Sequence, residues 1–177
     1  MDKTVLRNFQ KHLLPISGTG PLVCLQLGVR NPSHVVWLME NVLACTDDRW
    51  FGTDDFRGSF TLFKECVDVL GGFTNATVWP YEEHRFLRSI PPKAKAGLRR
   101  GVSLVYLDDT RGAGTLGGIF HILMSHLRPG TILVVNGYRT RRRREPQVME
   151  TIDSVLNWES TRWERLWDNT QIGVRRI

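Results

Sequence analysis

The segment LVCLQLGVRNPSHVVWLMENVLACTDDRWFGTDDF, residues 22–56, decides the fold. Leu22 to Leu27 is a run of strand character that breaks at Gly28, and a polar turn through Arg30, Asn31 and Pro32 leads to Ser33, a residue suited to cap a helix N-terminus. Apolar residues then recur at 35, 38, 39, 42 and 43, the period of a helix with one buried face. Trp50 to Thr53 forms a second short strand-like run, which ends on Asp54 and Asp55. Strand, glycine turn, helix, strand, acid is the first half of a nucleotide-binding βαβ unit. The order has a physical basis. A glycine lets a ligand approach the backbone, a helix N-terminus presents unpaired N–H groups, and a carboxylate accepts hydrogen bonds from ribose hydroxyls.

Working outward, Val5, Leu6, Phe9 and Leu13 predict a short amphipathic helix over residues 2–14, followed by a Gly- and Ser-rich loop, Ile16 to Pro21. Beyond the central segment, Phe60, Phe63, Val67 and Leu70 predict the buried stripe of a helix that Gly71-Gly72 ends. Ala76 to Trp79 reads as a third strand stopped by Pro80, and Glu82 to Ser89 as a helix closed by Pro91-Pro92. The basic stretch PPKAKAGLRRG, residues 91–101, reads as an irregular surface connection. Val102 to Leu107 is a near-continuous apolar run ending on Asp108-Asp109, as expected of a strand buried on both faces. Leu116, Ile119, Phe120, Leu123, Met124 and Leu127 keep helical spacing up to Pro129-Gly130, after which Thr131 to Val135 forms a fifth strand ending at Asn136-Gly137. The run RTRRRRE follows, then a helix built on Val148, Met149, Ile152, Val155 and Leu156. Trp163 to Trp167 and Ile172 to Val174, joined by Asp168-Asn169-Thr170, predict an antiparallel hairpin.

This alternation predicts an α/β chain: a doubly wound, Rossmann-like sheet of about seven strands, mostly parallel, with a C-terminal antiparallel hairpin. The whole of 1–177 is expected to form one domain, with residues 1–20 as an N-terminal helix and loop. Ligands of such sheets gather at the carboxyl ends of the strands, which here carry Gly28, Asp54, Pro80, Asp108 and Asn136.

Composition narrows the class. Of 177 residues, 41% are hydrophobic and 24% charged, ordinary for a globular protein. No apolar run approaches the roughly 18 residues of a membrane span, and MDKTVLRNFQKHLL lacks the apolar core of a signal peptide, so a cytoplasmic protein without a membrane partner is expected. Cys24, Cys45 and Cys66 have no metal-ligand spacing and read as buried thiols. The formal charge is +6, much of it in one run near Arg141.

With these motifs in order, the sequence resembles class I S-adenosylmethionine-dependent methyltransferases, in particular small single-domain members with signatures reading roughly ExGxxxGxS, GIDPF, YIDGSH and LKPGGxLVFDDY. The matching text is QLGVRNPSH (Gln26–His34), GTDDF (Gly52–Phe56), YLDDTR (Tyr106–Arg111) and LRPGTILVVNGY (Leu127–Tyr138). The likeness spans about residues 20–177, and the closing hairpin fits that family's reversed seventh strand. The chain departs from the pattern at Gln26, where the family has an acid; around Pro32, where a second glycine is replaced; at Arg111, where a histidine is usual; and at Asn136-Gly137, where relatives carry two acids.

The resemblance implies S-adenosylmethionine as cofactor, held by Gln26, Gly28, Val29, Asp54, Phe56 and Asp108. Gly28 would clear space for the methionine end, Gln26 would bond its amino or carboxylate group, Asp54 the ribose diol, and Phe56 would pack on adenine or belong to the core. Trp79 and Tyr81 would line the adenine pocket or pack elsewhere. Asp108 is the catalytic candidate, either orienting the cofactor's ammonium or acting as general base for an acceptor hydroxyl. His121 and His126 are expected to be structural, and His84 lies nearer the cleft. No metal is expected, because hard cations need several oxygen ligands and the fifth strand ends on Asn136-Gly137. Arg139 and Arg141, Arg142, Arg143 and Arg144 are suited to phosphate oxygens, as contacts for an anionic acceptor, or belong to a solvated loop. Two functions stay open: methyl transfer to oxygen or nitrogen of a small or anionic acceptor, and a catalytically degenerate methyltransferase-fold module that binds a partner or nucleic acid through its arginines.

Overall fold

A computed structural model of the chain describes residues 1–56, 59–108, 113–138, 145–158 and 162–177. Helix α1 (Lys3–Asn8) continues through a π-helical turn (Phe9–Leu13) and a 3-10 turn (Leu14–Ile16) to β1 (Val23–Leu27). Then follow α2 (Pro32–Asn41), β2 (Arg49–Thr53), α3 (Phe60–Leu70), β3 (Ala76–Trp79), α4 (Glu83–Arg88), α5 (Pro92–Leu98) and β4 (Val102–Leu107). The chain ends with α6 (Ala113–Met124), β5 (Leu127–Val135), α7 (Pro146–Trp158), β6 (Trp163–Asp168) and β7 (Ile172–Arg176).

The strands form one sheet in the order β3-β2-β1-β4-β5-β7-β6. Strands β1 to β5 pair in parallel, and β7 runs antiparallel to both β5 and β6. The order reverses beside β1, which pairs with β2 on one edge and β4 on the other, so the crevice of a doubly wound sheet opens there. The hairpin does not simply extend the edge: β7 inserts between β5 and β6.

Alternation along the strands sorts the core into two layers. Leu25, Leu27, Val105, Leu107, Leu133 and Val135 face α4, α5, α6 and α7. Cys24, Trp50, Leu104, Tyr106, Ile132 and Val134 face the N-terminal helical segment, α2 and α3. Because residues two apart share a face, Gln26 lies on the second side, its register partners being Gly52 and Tyr106.

Several sequence expectations change. Helix α2 is capped by Asn31, whose Oδ1 accepts from the Ser33 N–H at 3.0 Å, because Pro32 takes the first helical position, where a missing N–H costs nothing. The stripe of α3 is rotated: Phe60 is 79% and Val67 43% exposed, while Cys66 and Leu70 are buried. Leu62 and Phe63 pack partly buried against the same cluster as Cys66 and Leu70, so the inward face is turned by about one residue from the expected stripe. Residues 92–98 of the basic stretch form α5, with Ala94, Gly97 and Leu98 turned inward. Strand β5 begins at Leu127, before Pro129-Gly130, with a register shift against β4 between Val102 and Leu104. Cys45 is exposed whereas Cys24 and Cys66 are buried. None of the helices is long and apolar enough to cross a membrane, among the described residues.

Candidate functional site

Backbone bonds that carry the ladder one residue past the strands line up the candidate residues along one rim. The Gly28 N–H donates to the Thr53 carbonyl (2.9 Å), Asp108 N–H to Leu27 (2.9 Å), Asn136 N–H to Leu107 (2.8 Å) and Asp54 N–H to Trp79 (3.3 Å). Gly28 has φ +82°, a left-handed turn that favours glycine whatever binds there. The Gln26 side chain is wholly buried beside it; its amide N–H donates to the Gly28 carbonyl at 3.2 Å. Its Oε1 has no hydrogen-bond partner among the described residues.

Asp54 is fully buried and committed to the protein's own groups. Its Oδ2 accepts from the Val29 N–H (2.9 Å) and pairs with the Arg30 guanidinium (3.2 Å), and its Oδ1 accepts from the Phe56 N–H (2.8 Å). A ribose diol at this carboxylate would have to displace Arg30. For the same reason the Val29 N–H is already used. Phe56 adopts φ +49°, an uncommon conformation for a residue with a side chain, and its ring is buried 5.0 Å from that of Phe63. Its packing is that of a core residue.

Asp108 is also buried, and its Oδ1 accepts from the Asn136 side-chain N–H at 2.7 Å. From there a buried hydrogen-bond chain crosses the sheet. The Gln171 amide donates to Asn136 Oδ1 (3.1 Å) and to the Tyr106 hydroxyl (2.9 Å), and Tyr106 meets His34 Nδ1 at 3.1 Å. Asn8 of α1 donates to Gln171 Oε1 at 3.4 Å. Burial, with the positive N-terminus as a lesser cause, brings His34 down to about 4. Burial, reinforced by the charge of Asp108, raises the Tyr106 phenol well above its usual value. Both are therefore neutral near pH 7, and Tyr106 accepts from Gln171 while sharing a hydrogen bond with His34 Nδ1. With Tyr106 as the donor of that bond, the His34 proton sits on Nε2.

The rim is legible in the sequence, and this hydrogen-bond chain is not. His34 follows Ser33 with no spacing signal that ties it to Tyr106, and Gln171 lies 63 residues beyond Asp108 with no periodic signal. Only the insertion of β7, which pairs Val135 with Ile172, brings Gln171 beside Asn136. Of the other candidates, Trp79 packs between Phe51 and Phe86 in the core, with ring centroids at 5.9 and 5.3 Å. Tyr81 is exposed beneath Arg85, and His84 is half-buried. His121 is exposed on α6, not structural as expected, because it points away from the apolar face. Asp109, Arg111, Arg139 and Arg141 to Arg144 lie outside the described residues. Among the described residues no group of three His, Cys, Asp or Glu side chains is placed to hold a metal.

No family model matches the sequence, and no curated protein matches it. Solved structures do match. A candidate rRNA methylase from Clostridium thermocellum aligns over 100% of both chains with TM-score 0.70 at 13% identity. The N-methyltransferase NodS from Bradyrhizobium japonicum aligns over 99% of this chain and 98% of its own, with TM-score 0.62 at 14% identity. The O-methyltransferase TomG from Streptomyces achromogenes, in complex with S-adenosylmethionine, aligns over 99% of this chain and 90% of its own, with TM-score 0.66 at 12% identity. The fold is that of class I S-adenosylmethionine-dependent methyltransferases.

Proposed function

We propose that the chain is an S-adenosylmethionine-dependent methyltransferase acting on an oxygen or nitrogen of an anionic acceptor. One observation carries this reading: Gln26 Oε1, a buried acceptor without a partner among the described residues, sits beside the left-handed Gly28 turn where the strand order reverses. A buried carbonyl left unsatisfied costs about 1–3 kcal/mol. An ammonium group such as that of the cofactor's methionine end is the kind of donor that would satisfy it. The residues therefore fit the cofactor at that end: Gln26 would accept from the ammonium, and Gly28 would leave room for the backbone to approach.

The cofactor supplies a methyl group activated by a sulfonium, which asks the protein for alignment and a dry site more than for bond-making groups. Asp108 is the residue for the remaining task, taking the proton of an acceptor O–H or N–H as the new bond forms. Asn136 supports that role by holding one carboxylate oxygen, so that Asp108 keeps one orientation. Arg139 and Arg141 to Arg144, which follow β5 in sequence, would hold the acceptor's negative charge.

A second reading, a non-catalytic module that binds a partner or nucleic acid through its arginines, is favoured by the Arg30–Asp54 pair, which uses the carboxylate the ribose would need. Calorimetry with S-adenosylmethionine and its demethylated product separates the two. Saturable heat with one site per chain, lost in Gln26→Leu, supports the enzyme. Absence of heat at millimolar ligand supports the module.

A further inference from the structure

The amino-terminal end of the sheet, opposite the rim of Gly28 and Asp108, holds a cavity of about 290 Å³. Lys95, Arg99, His126 and Arg128 surround a floor that includes Ile90 and Leu98. Lys95 and Arg99 are four residues apart along α5 and its C-cap, so they share a face. Both are exposed, and neither pairs with a carboxylate among the described residues.

The C-terminal end of α5 carries the negative end of the helix dipole, which disfavours an anion. Arg128 removes that obstacle. Its guanidinium donates to the Arg99 and Arg100 carbonyls at 3.0 and 3.3 Å. Gly101, at φ +96°, makes the close approach possible: a Cβ there would come within 3.0 Å of the Arg128 side chain. The wall is thus fixed and positive.

Sequence charge points the same way. Residues 84–107 contain six Lys and Arg and no Asp or Glu, and Arg128 is the one charged residue between 113 and 138. Lys93 and Arg100 are exposed as well.

We propose that this cavity is a phosphate site that seats the backbone of a single-stranded polynucleotide, separate from the cofactor rim and from the Arg141–Arg144 run. Three exposed cations, Lys95, Arg99 and Arg128, line one cavity, more positive charge than a single phosphate group balances, which fits a backbone that brings further phosphates. The apolar floor of Ile90 and Leu98 gives a sugar or base edge something to lie against without sequence selection.

The test is fluorescence anisotropy with a labelled 12-nucleotide oligouridylate over a salt series. It is run on the native chain, on Lys95→Glu/Arg99→Glu, and on Lys3→Glu/Lys64→Glu as a charge-matched control on α1 and α3. The same three are repeated with Arg141 to Arg144 changed to alanine, so that the run does not mask the cavity. Each lost phosphate contact removes about 0.7 from the log–log salt slope of a single strand, so the cavity variant should lose about 1.4 and bind about tenfold or more weakly at low salt. The control should lose much less. Lys95→Gln/Arg99→Gln gives the same reading should charge reversal impair folding. Equal losses in cavity and control variants would overturn the proposal. So would loss of inorganic phosphate binding, followed by phosphorus NMR, with oligouridylate affinity unchanged, since the site would then serve a free phosphate ester. Neither result depends on whether the protein binds S-adenosylmethionine.

Discussion

At the scale of single residues, Asp54 and His34 show how position outweighs type. An acid after the second strand suggests a ribose ligand from sequence, yet Asp54 is closed in by the Val29 and Phe56 N–H groups and by Arg30. Asp54→Ala would strand two buried donors, so it should lower stability by about 2–5 kcal/mol in denaturant titrations, besides any loss of cofactor affinity. Affinity lost at unchanged stability would return Asp54 to the role of ribose ligand. His34 makes a pH prediction. Its folded value, about 4, lies below the unfolded value of about 6.5, so the unfolded chain takes up a proton over that interval and the folded chain does not. Stability should therefore fall as pH drops from about 6.5 to 4, by about 3 kcal/mol from this group. His34→Gln keeps an acceptor for Tyr106 and should flatten that limb of Tm against pH; an unaltered profile would rule the histidine out as its cause.

Among the elements, the hairpin β6–β7 and the helix α5 depart most from a plain alternating pattern. Trp167 lies across from Gly173 in register, and a Cβ at 173 would come within 2.4 Å of the indole. The absent side chain is what lets the ring lie flat on the strand beside it. Gly173→Ala should cost about 1–3 kcal/mol by overpacking. Gly118 within α6 has nothing within 4 Å of its Cβ position, so Gly118→Ala should instead gain about 0.5–1 kcal/mol. Midpoints of urea unfolding that shift the same way for both would contradict this contrast. In α5, proline at the first helical turn and Ala94, Gly97 and Leu98 on the inner face make a helix from a stretch whose lysines and arginines suggested a loop. Gly97 is small because Phe51 occupies the space where its Cβ would stand.

At the scale of the whole molecule, the rim of Gly28 and Asp108 and the cationic cavity lie at opposite ends of one sheet. Arg141 to Arg144 follow the carboxyl end of β5 in sequence, while Lys95, Arg99 and Arg128 gather at the amino end. If the arginine run neutralises about four phosphates, duplex binding should fall roughly 100-fold between about 50 and 200 mM salt. Alanine at all four positions should flatten that dependence and leave the melting temperature nearly unchanged; indifference to DNA, RNA and heparin at low salt would make the run a solvated loop. The amino-acid sequence by itself determined the class, the order of the strands along the chain and the rim from Gly28 to Asp108. Hydrophobic period and turn chemistry are local properties, readable over a few residues. The spatial order β5-β7-β6, the exposed side of α3, the closing of Asp54 by Arg30 and the chain from Asp108 through Gln171 to His34 were decided by the tertiary structure alone. Each depends on groups distant in sequence being desolvated together. A buried polar group takes whichever partner the packing brings within hydrogen-bond reach, and no local pattern encodes that choice.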